Sequence, residues 1–288
     1  MTERIHRVGV VGCGLMGSGI AEVSARAQLD VVVVETTEET LAAGRKRLES
    51  SLARAVRAGK LSFEQQDAAL SRLRFTTEYD ELADRQLVVE AVVESPTVKL
   101  DVFETLDRVI DDPAAILASN TSSIPIMKLA MATKRPASVL GIHFFNPVPV
   151  LKLVEVVSSL LTSEATVARA HAFATEQLGK HVIRSKDRAG FIVNALLVPY
   201  LLSAVRMLES GFATADDIDR GMVEGCAHPM GPLALTDLIG LDTTMAVAES
   251  LYDEFKEPLY APPPLLHRMV DAGLLGRKTG RGFYSYEA

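Results

Sequence analysis

The stretch that decides the fold is VGVVGCGLMGSGIA, residues 8–21. An apolar, β-branched run leads into three glycines spaced G-x-G-x-x-G, and a run with helical spacing follows. In a strand, loop and helix of this kind, the first glycine permits a tight turn and the second admits a ligand close to the backbone. The third glycine lets the helix pack closely on the strand, and the helix N-terminus presents amides to an anion. The pattern therefore predicts a phosphate-binding turn at the start of an α/β domain.

An acidic residue follows this loop at the distance that a dinucleotide site requires. The run VVVVE, residues 31–35, ends in Glu35, about 20 residues after the loop, where a carboxylate accepts hydrogen bonds from an adenosine ribose. Glu35 would repel a ribose phosphate, and the TTEE that follows offers no arginine to bind one, so NAD is favoured over NADP. A glycine-rich turn that binds nothing remains the alternative. The predicted cofactor-binding residues of this region are Gly12, Gly14, Leu15, Met16, Gly17 and Glu35.

Short β-rich runs alternate with helical segments through about residue 185, which is typical of a doubly wound, mainly parallel sheet. After KDRAGFIVN, residues 186–194, the apolar spacing becomes helical. We predict a Rossmann-like NAD-binding domain over 1–186 and an all-α domain over 187–288. The predicted strands are 7–12, 31–35, 74–77, 87–93, 115–120, 138–144, 151–157 and 181–185, and the predicted helices of the first domain include 38–58, 97–110 and 163–178.

Net charge, cysteine spacing and the length of the apolar runs argue against several classes of protein. The 288 residues carry a formal net charge of -7, which gives no global electrostatic reason to expect nucleic acid or an anionic membrane as partner. Cys13 and Cys226 are far apart in the sequence and suggest neither a disulfide framework nor a metal site. The N-terminal stretch lacks a signal-peptide core, and no apolar run reaches the roughly 18 residues of a membrane span. We expect a cytoplasmic protein that binds no metal.

A second motif places a histidine and an acidic residue among apolar residues. In GIHFFNPVPVLKLVEVV, residues 141–157, His143 precedes two phenylalanines and Glu155 lies within an apolar run. Burying either group costs free energy unless it is paired. If the strands around them lie side by side, Glu155 can orient the imidazole and support its charged form. Histidine is the side chain best matched to take an alcohol proton at neutral pH. A satisfied core histidine and a purely structural ion pair remain the alternatives.

Several long motifs, taken in order, resemble the L-3-hydroxyacyl-CoA dehydrogenase family nearly end to end, most closely its short 3-hydroxybutyryl-CoA dehydrogenases. The matching stretches are GVVGCGLMGSGIA, VVEAVVES, ASNTSS, GIHFFNPVPVLKLVEVV, GKHVIRSKDRAGFIVN, HPMGPLALTDLIGLD and GLLGRKTGRGFY. The resemblance implies NAD-dependent, reversible oxidation of an (S)-3-hydroxyacyl-CoA to the 3-ketoacyl-CoA, with 3-hydroxybutyryl-CoA as the expected substrate. It also implies a homodimer.

The resemblance implies roles for individual residues. His143 matches the general acid/base of the family, and Glu155 matches the carboxylate that orients it. Ser122 and Asn194 match residues beside the substrate oxygen and the catalytic histidine, with Asn146 next to them. The implied cofactor residues near the ribose and nicotinamide are Glu94, Lys99 and Asn120, and the implied CoA contact is Ser51.

The chain departs from the family pattern at two positions. Ala195 follows the GFIVN motif where the family often has an arginine, and Pro96 interrupts the segment after VVEAVVES. Asn194 could also cap the following helix, and we interpret Thr121 and Ser123 as a helix-capping turn. The basic residues of RKRLESSLARAVRAGK, residues 45–60, are interpreted as a solvated helix face rather than as individual phosphate ligands.

Two alternatives to the leading function remain at this stage. A dehydrogenase of the same two-domain plan could act on a hydroxy acid or sugar acid without CoA. A protein could also bind the cofactor without catalysis, although the set of Ser122, His143, Glu155 and Asn194 argues against this. The sequence does not indicate the preferred acyl-chain length or the physiological direction.

Overall fold

A computed structural model describes residues 4–286 of the chain. The chain divides into two compact units, one that ends at Arg188 and one that begins at Ala189. Within the described residues, no helix is both long enough and apolar enough to cross a bilayer.

The first unit is built on a sheet to which the described residues contribute eight strands. They are β1 Arg7–Val11, β2 Asp30–Val34, β3 Leu73–Thr76, β4 Leu87–Glu90, β5 Ile116–Ser119, β6 Val139–Phe144, β7 Leu153–Ser158 and β8 His181–Lys186. Their order across the sheet is β3-β2-β1-β4-β5-β6-β7-β8. The strands from β3 to β6 pair in parallel, β7 is antiparallel to β6, and β8 is parallel to β7. The prediction of a mainly parallel sheet is confirmed.

Helices cover the faces of this sheet. They are α1 Leu15–Arg26, α2 Glu38–Arg57, α3 Phe63–Leu70, α4 Pro96–Val109, α5 Ile126–Met131 and α6 Glu164–Ala172. The central strands are buried along almost their whole length, which explains their near-continuous valine, isoleucine and leucine content. Their side chains form one core with the buried face of α1. This packing fixes the carboxyl ends of the parallel strands along one edge.

Helix starts in this unit follow local chemistry. Thr37 begins α2 with a capping box, and Ser62 begins α3 in the same way with Gln65 as its partner. Helix α3 was not among the predicted helices. Pro96 is the first residue of α4, a position where the missing N–H costs nothing. The proline therefore starts a helix rather than interrupting a functional segment.

The second unit is helical, as predicted, apart from short β-bridges between residues 276 and 285. Its helices are α7 Val193–Glu209, α8 Ala215–Cys226, α9 Pro232–Ile239, α10 Leu241–Phe255 and α11 Pro264–Asp271. Thr214 caps α8 by accepting a hydrogen bond from the amide of Asp217. Gly211 follows α7 with φ +69°, a conformation that glycine adopts without strain. These two residues mark the start of α8 and the end of α7.

Four local predictions are wrong. The strand expected over 87–93 ends at Glu90, and the amide of Val92 bonds to the Glu90 side chain instead of to a neighbouring strand. The helix expected over 163–178 stops being α-helical at Phe173 and continues as a π-helical segment, Phe173–Gln177.

The other two wrong predictions concern helix caps. Asn194 is not an N-cap, because α7 already begins at Val193 and has no side-chain cap. Residues 121–123 do not cap α5 either. The carboxylate of Asp187 takes that role by accepting the amides of Ile126 at 2.8 Å and Met127 at 2.7 Å.

Candidate active site

The glycine loop between β1 and α1 has the shape that a pyrophosphate requires. Gly12 has φ +90°, and a Cβ there would lie 2.7 Å from the carbonyl oxygen of the residue that follows β4. A Cβ on Gly17 would overlap the Gly12 carbonyl, whereas Gly14 faces open space. No described side chain caps α1, whose first residues are Leu15 and Met16. The open loop and the uncapped helix N-terminus fit the phosphates of a dinucleotide.

Glu35 lies directly after β2 and contacts this loop. Its carboxylate accepts the amide of Cys13 at 2.5 Å and the amide of Thr36 at 3.1 Å. From α2, Arg47 donates to the Cys13 carbonyl at 2.8 Å, so this residue of the predicted solvated face holds the loop instead. Burial and the charge of Glu35 raise the pKa of the Cys13 thiol to about 12, and Arg47 opposes them. Glu35 therefore occupies the position expected for a ribose-binding acid.

The histidine and the acid of the second motif meet across the antiparallel pair β6 and β7. The register places His143 directly opposite Glu155, and Nδ1 lies 2.8 Å from Oε2. Both residues are buried. On the other side of the imidazole, Nε2 lies 2.9 Å from the hydroxyl oxygen of Ser122. The ring of Phe145 packs edge-on against the imidazole, with 4.6 Å between the two ring centroids. With Nδ1–H donated to the carboxylate, Nε2 carries the lone pair of the ring and accepts the hydrogen bond of the Ser122 hydroxyl.

Glu94 holds the turn that carries Ser122. Its Oε1 accepts the amides of Ser122 at 3.0 Å and Ser123 at 3.1 Å, and the hydroxyls of Ser123 and Thr121. Burial alone would raise the pKa of Glu94. The charge of Lys99 and the hydrogen bonds of the turn outweigh burial, so the pKa lies below its ordinary value. Glu94 is therefore ionised at neutral pH and fixes the turn.

Lys99 and Asn120 support the same edge of the sheet. The ammonium of Lys99 is buried, 2.6 Å from Glu90 and 3.2 Å from Glu94. Asn120 follows β5 and accepts the amide of Phe144 at 2.9 Å. Glu90 was not predicted as a site residue. It lies inside the apolar run LVVEAVV, whereas Glu35 ends the run VVVVE, so the local pattern does not single it out.

Three predicted residues stand apart from these contacts. Asn146 is exposed and precedes a cis peptide bond to Pro147. Ser51 is half-buried on α2. Asn194 is the second residue of α7 in the second unit. Their roles beside the substrate stay predictions.

The fold and this site together define a class. A parallel sheet with a glycine loop before α1, and an acid after β2, binds NAD at the carboxyl ends of its strands. At the same edge, the buried side chains of His143 and Glu155 form a hydrogen-bonded pair. An acid/base histidine beside a nicotinamide site is the arrangement that hydride transfer to and from a secondary alcohol requires. The protein is an NAD-dependent oxidoreductase.

The chain belongs to the 3-hydroxyacyl-CoA dehydrogenase family. The model of the family's NAD binding domain matches residues 7–188, and the model of its C-terminal domain matches residues 190–286. The two matches cover nearly all of the chain.

Relatives agree with this membership. A 3-hydroxybutyryl-CoA dehydrogenase of Mycobacterium tuberculosis is 62% identical, over 99% of this chain and 100% of that protein. The mitochondrial hydroxyacyl-coenzyme A dehydrogenase of Homo sapiens is 42% identical, over 98% of this chain and 92% of that protein. The crystal structure of (S)-3-hydroxybutyryl-CoA dehydrogenase from Ralstonia eutropha superposes with a TM-score of 0.92 at 45% identity, covering 99% of this chain and all of that one.

Proposed function

We propose that the chain catalyses the reversible, NAD-linked oxidation of (S)-3-hydroxybutyryl-CoA to acetoacetyl-CoA. The observation that carries the proposal is the buried His143, held between Glu155 and Ser122 at the edge of the sheet where the cofactor loop lies. The names of the relatives from Mycobacterium tuberculosis and Ralstonia eutropha support this substrate.

The proposed chemistry follows from the geometry of the imidazole. NAD, when bound, supplies the acceptor for the hydride that leaves the substrate carbon. Nε2 of His143 takes the hydroxyl proton, and the carboxylate of Glu155 stabilises the imidazolium that forms. Before the substrate binds, the hydroxyl of Ser122 donates to Nε2 at 2.9 Å. Once the substrate hydroxyl takes that place on Nε2, the Ser122 hydroxyl can turn and donate to the substrate oxygen. In the reductive direction, the same nitrogen returns the proton to the alkoxide.

We propose that α2 binds the CoA portion of the substrate through Ser51 and its basic residues. Two of these residues have other partners, because Arg45 pairs with Glu49 at 2.9 Å and Arg47 holds the glycine loop. The remaining candidates are exposed and can reach phosphates without breaking such contacts. They are Lys46, Arg54 and Arg57 on α2, and Lys60 shortly after its end.

We propose further that the first unit binds NAD and that the second contributes Asn194 to the substrate site and forms a homodimer. Large apolar side chains exposed on the second unit support self-association. The exposed residues include Leu196, Met207, Phe212, Leu238 and Ile239. Sedimentation equilibrium tests this proposal, since a species with the mass of one chain at micromolar concentration would contradict it.

The decisive assay follows NADH consumption with acetoacetyl-CoA, with free acetoacetate as the matched substrate without CoA. We expect turnover with the thioester alone, and with NADH in preference to NADPH because of Glu35. Equal turnover of the free acid would favour the alternative of a hydroxy-acid dehydrogenase. Tight NADH binding without turnover of either compound would favour a non-catalytic protein. A series of 3-ketoacyl-CoA thioesters from short to long chains then defines the preferred length.

A further inference from the structure

Glu90 is a buried carboxylate at the carboxyl end of β4, and the proposed chemistry leaves it without a role. Its side chain is fully buried, so its charge must be compensated inside the protein. Oε1 accepts the ammonium of Lys99 at 2.6 Å and the amide of Val92 at 2.7 Å, and Oε2 accepts the hydroxyl of Ser119 at 2.6 Å. One carboxylate therefore ties together the ends of two strands and the first turn of α4.

The contacts of Glu90 lead to the turn that carries Ser122 by two routes. In the shorter route, the hydroxyl of Ser119 accepts the amide of Thr121 at 3.2 Å. In the longer route, Lys99 is shared with Glu94, and Glu94 in turn accepts the amides of residues 122 and 123. Both routes end within one residue of Ser122. The placement of its hydroxyl, 2.9 Å from Nε2 of His143, depends on what holds this turn.

The charge of Glu90 sets how Lys99 is shared between Glu90 and Glu94. The two acids Glu90 and Glu94 share one buried cation, Lys99, and the shorter ion pair is the one to Glu90. If Glu90 lost its charge, the attraction of Lys99 would act on Glu94 alone. Glu94 faces Lys99 with Oε2 and the turn with Oε1, so a stronger pull by Lys99 competes with its contacts to the amides of the turn.

We propose that Glu90 is a positioning residue that fixes turn 121–123 and thereby holds the hydroxyl of Ser122 on Nε2 of His143. It does so through Ser119 and through the shared cation Lys99, without contact with the reacting atoms. The inference rests on the proposed function only in assigning the chemistry to His143.

The first test measures the histidine itself, without substrate. In protein labelled with ¹⁵N at histidine, Glu90→Gln is expected to shift the Nε2 resonance of His143, because the hydrogen bond to Ser122 weakens. The matched control is Glu22→Gln, which neutralises another buried acid, paired with Arg26 at 3.3 Å on α1. We expect the control to leave the resonance in place. An unchanged Nε2 resonance in folded Glu90→Gln would overturn the proposal, whether or not the chain reduces acetoacetyl-CoA.

The second test is a double-mutant cycle in kcat. Glu90→Gln is expected to lower kcat roughly ten-fold or more, the usual effect of losing a hydrogen bond to a charged group, with a smaller change in KM for the thioester. In a Ser122→Ala background, the same substitution should have little further effect, since residues that act through one contact are not additive. Equal fold-losses in both backgrounds would show that Glu90 is only structural.

A third variant covers the case in which Glu90→Gln does not fold. Ser119→Ala removes the shorter route and leaves the ion pair with Lys99 intact. We expect a loss of a few-fold in kcat, about the worth of one neutral hydrogen bond, and this loss should again vanish in the Ser122→Ala background. A folded Ser119→Ala protein whose kcat and Nε2 resonance both match the unmodified protein would refute the proposed route.

Discussion

Removing only the charge of Glu155 tests whether that charge supports catalysis by His143. Glutamine has nearly the same shape, and its amide oxygen can still accept the Nδ1–H of His143 at the observed 2.8 Å. Ring orientation should therefore survive in Glu155→Gln, whereas the electrostatic support of the imidazolium is lost. The effect on catalysis then reports the charge rather than the geometry.

The size of the expected fall in kcat follows from the burial of His143 and Glu155. Both side chains are shielded from water, so the carboxylate acts on the ring with little screening. A hydrogen bond to a charged group contributes about 1.5–3 kcal/mol. At about 1.4 kcal/mol for each factor of ten, kcat for acetoacetyl-CoA reduction should fall roughly ten- to a hundred-fold.

The assay is steady-state NADH oxidation, with thermal melting and NADH titration on the same samples. The dissociation constant for NADH should stay the same, since Glu155 lies outside the glycine loop. Glu164→Gln is the matched control, because that acid is exposed and only loosely paired with Arg184, at 3.8 Å. If folded Glu155→Gln reduced acetoacetyl-CoA as fast as the unmodified protein, the reasoning about the pair would be refuted.

Other expected outcomes concern the loop, its neighbours and the cysteines. Gly17→Ala should abolish NADH binding or destabilise the loop, because its Cβ would overlap a backbone carbonyl, whereas Gly14→Ala should melt like the unmodified protein; fluorescence titration and melting check both. The pKa of Glu94 is lowered in the folded state, so its stabilisation is present above the ordinary carboxyl pKa and is lost as the pH falls through the lowered value. Melting temperatures across acidic pH should show this loss in the unmodified protein and not in Glu94→Gln. At neutral pH, iodoacetamide should modify exposed Cys226 and spare Cys13, whose buried thiol has its pKa raised to about 12; peptide mass spectrometry would contradict this if Cys13 reacted first.

The sheet was predictable because its central strands are buried almost throughout and read as apolar runs rich in β-branched residues. The glycine loop and Glu35 were equally accessible, since both are set by short-range spacing along one strand, loop and helix. Helix α3 was missed because the apolar residues of FEQQDAAL stand at its first position and together at its end, which shows no helical period. Its capping box, formed by Ser62 and Gln65, was the signal that could have revealed it.

Contacts between distant segments could not be predicted from local pattern. The pairing of His143 with Glu155 was expected only if their strands lay side by side, and the structure places them directly opposite each other. The contact of Ser122 with His143 was implied by family resemblance and depends on β5 lying next to β6. Glu90 was read as part of a longer strand, because nothing in its own neighbourhood shows that Lys99 will lie beside it.

The same limit applied to the helix caps. Asn194 has the right chemistry for an N-cap, but α7 already begins one residue earlier, at Val193. Asp187 caps α5 from 60 residues away in the sequence, and no short-range rule connects the two.

One measurement tests most directly whether His143 exchanges the substrate proton. In His143→Ala, kcat for acetoacetyl-CoA reduction should fall roughly a hundred- to ten-thousand-fold, as expected for loss of a general acid, while NADH binding and the melting temperature stay close to those of the unmodified protein. A folded His143→Ala protein that binds NADH and reduces acetoacetyl-CoA at nearly the unmodified rate would contradict the assignment.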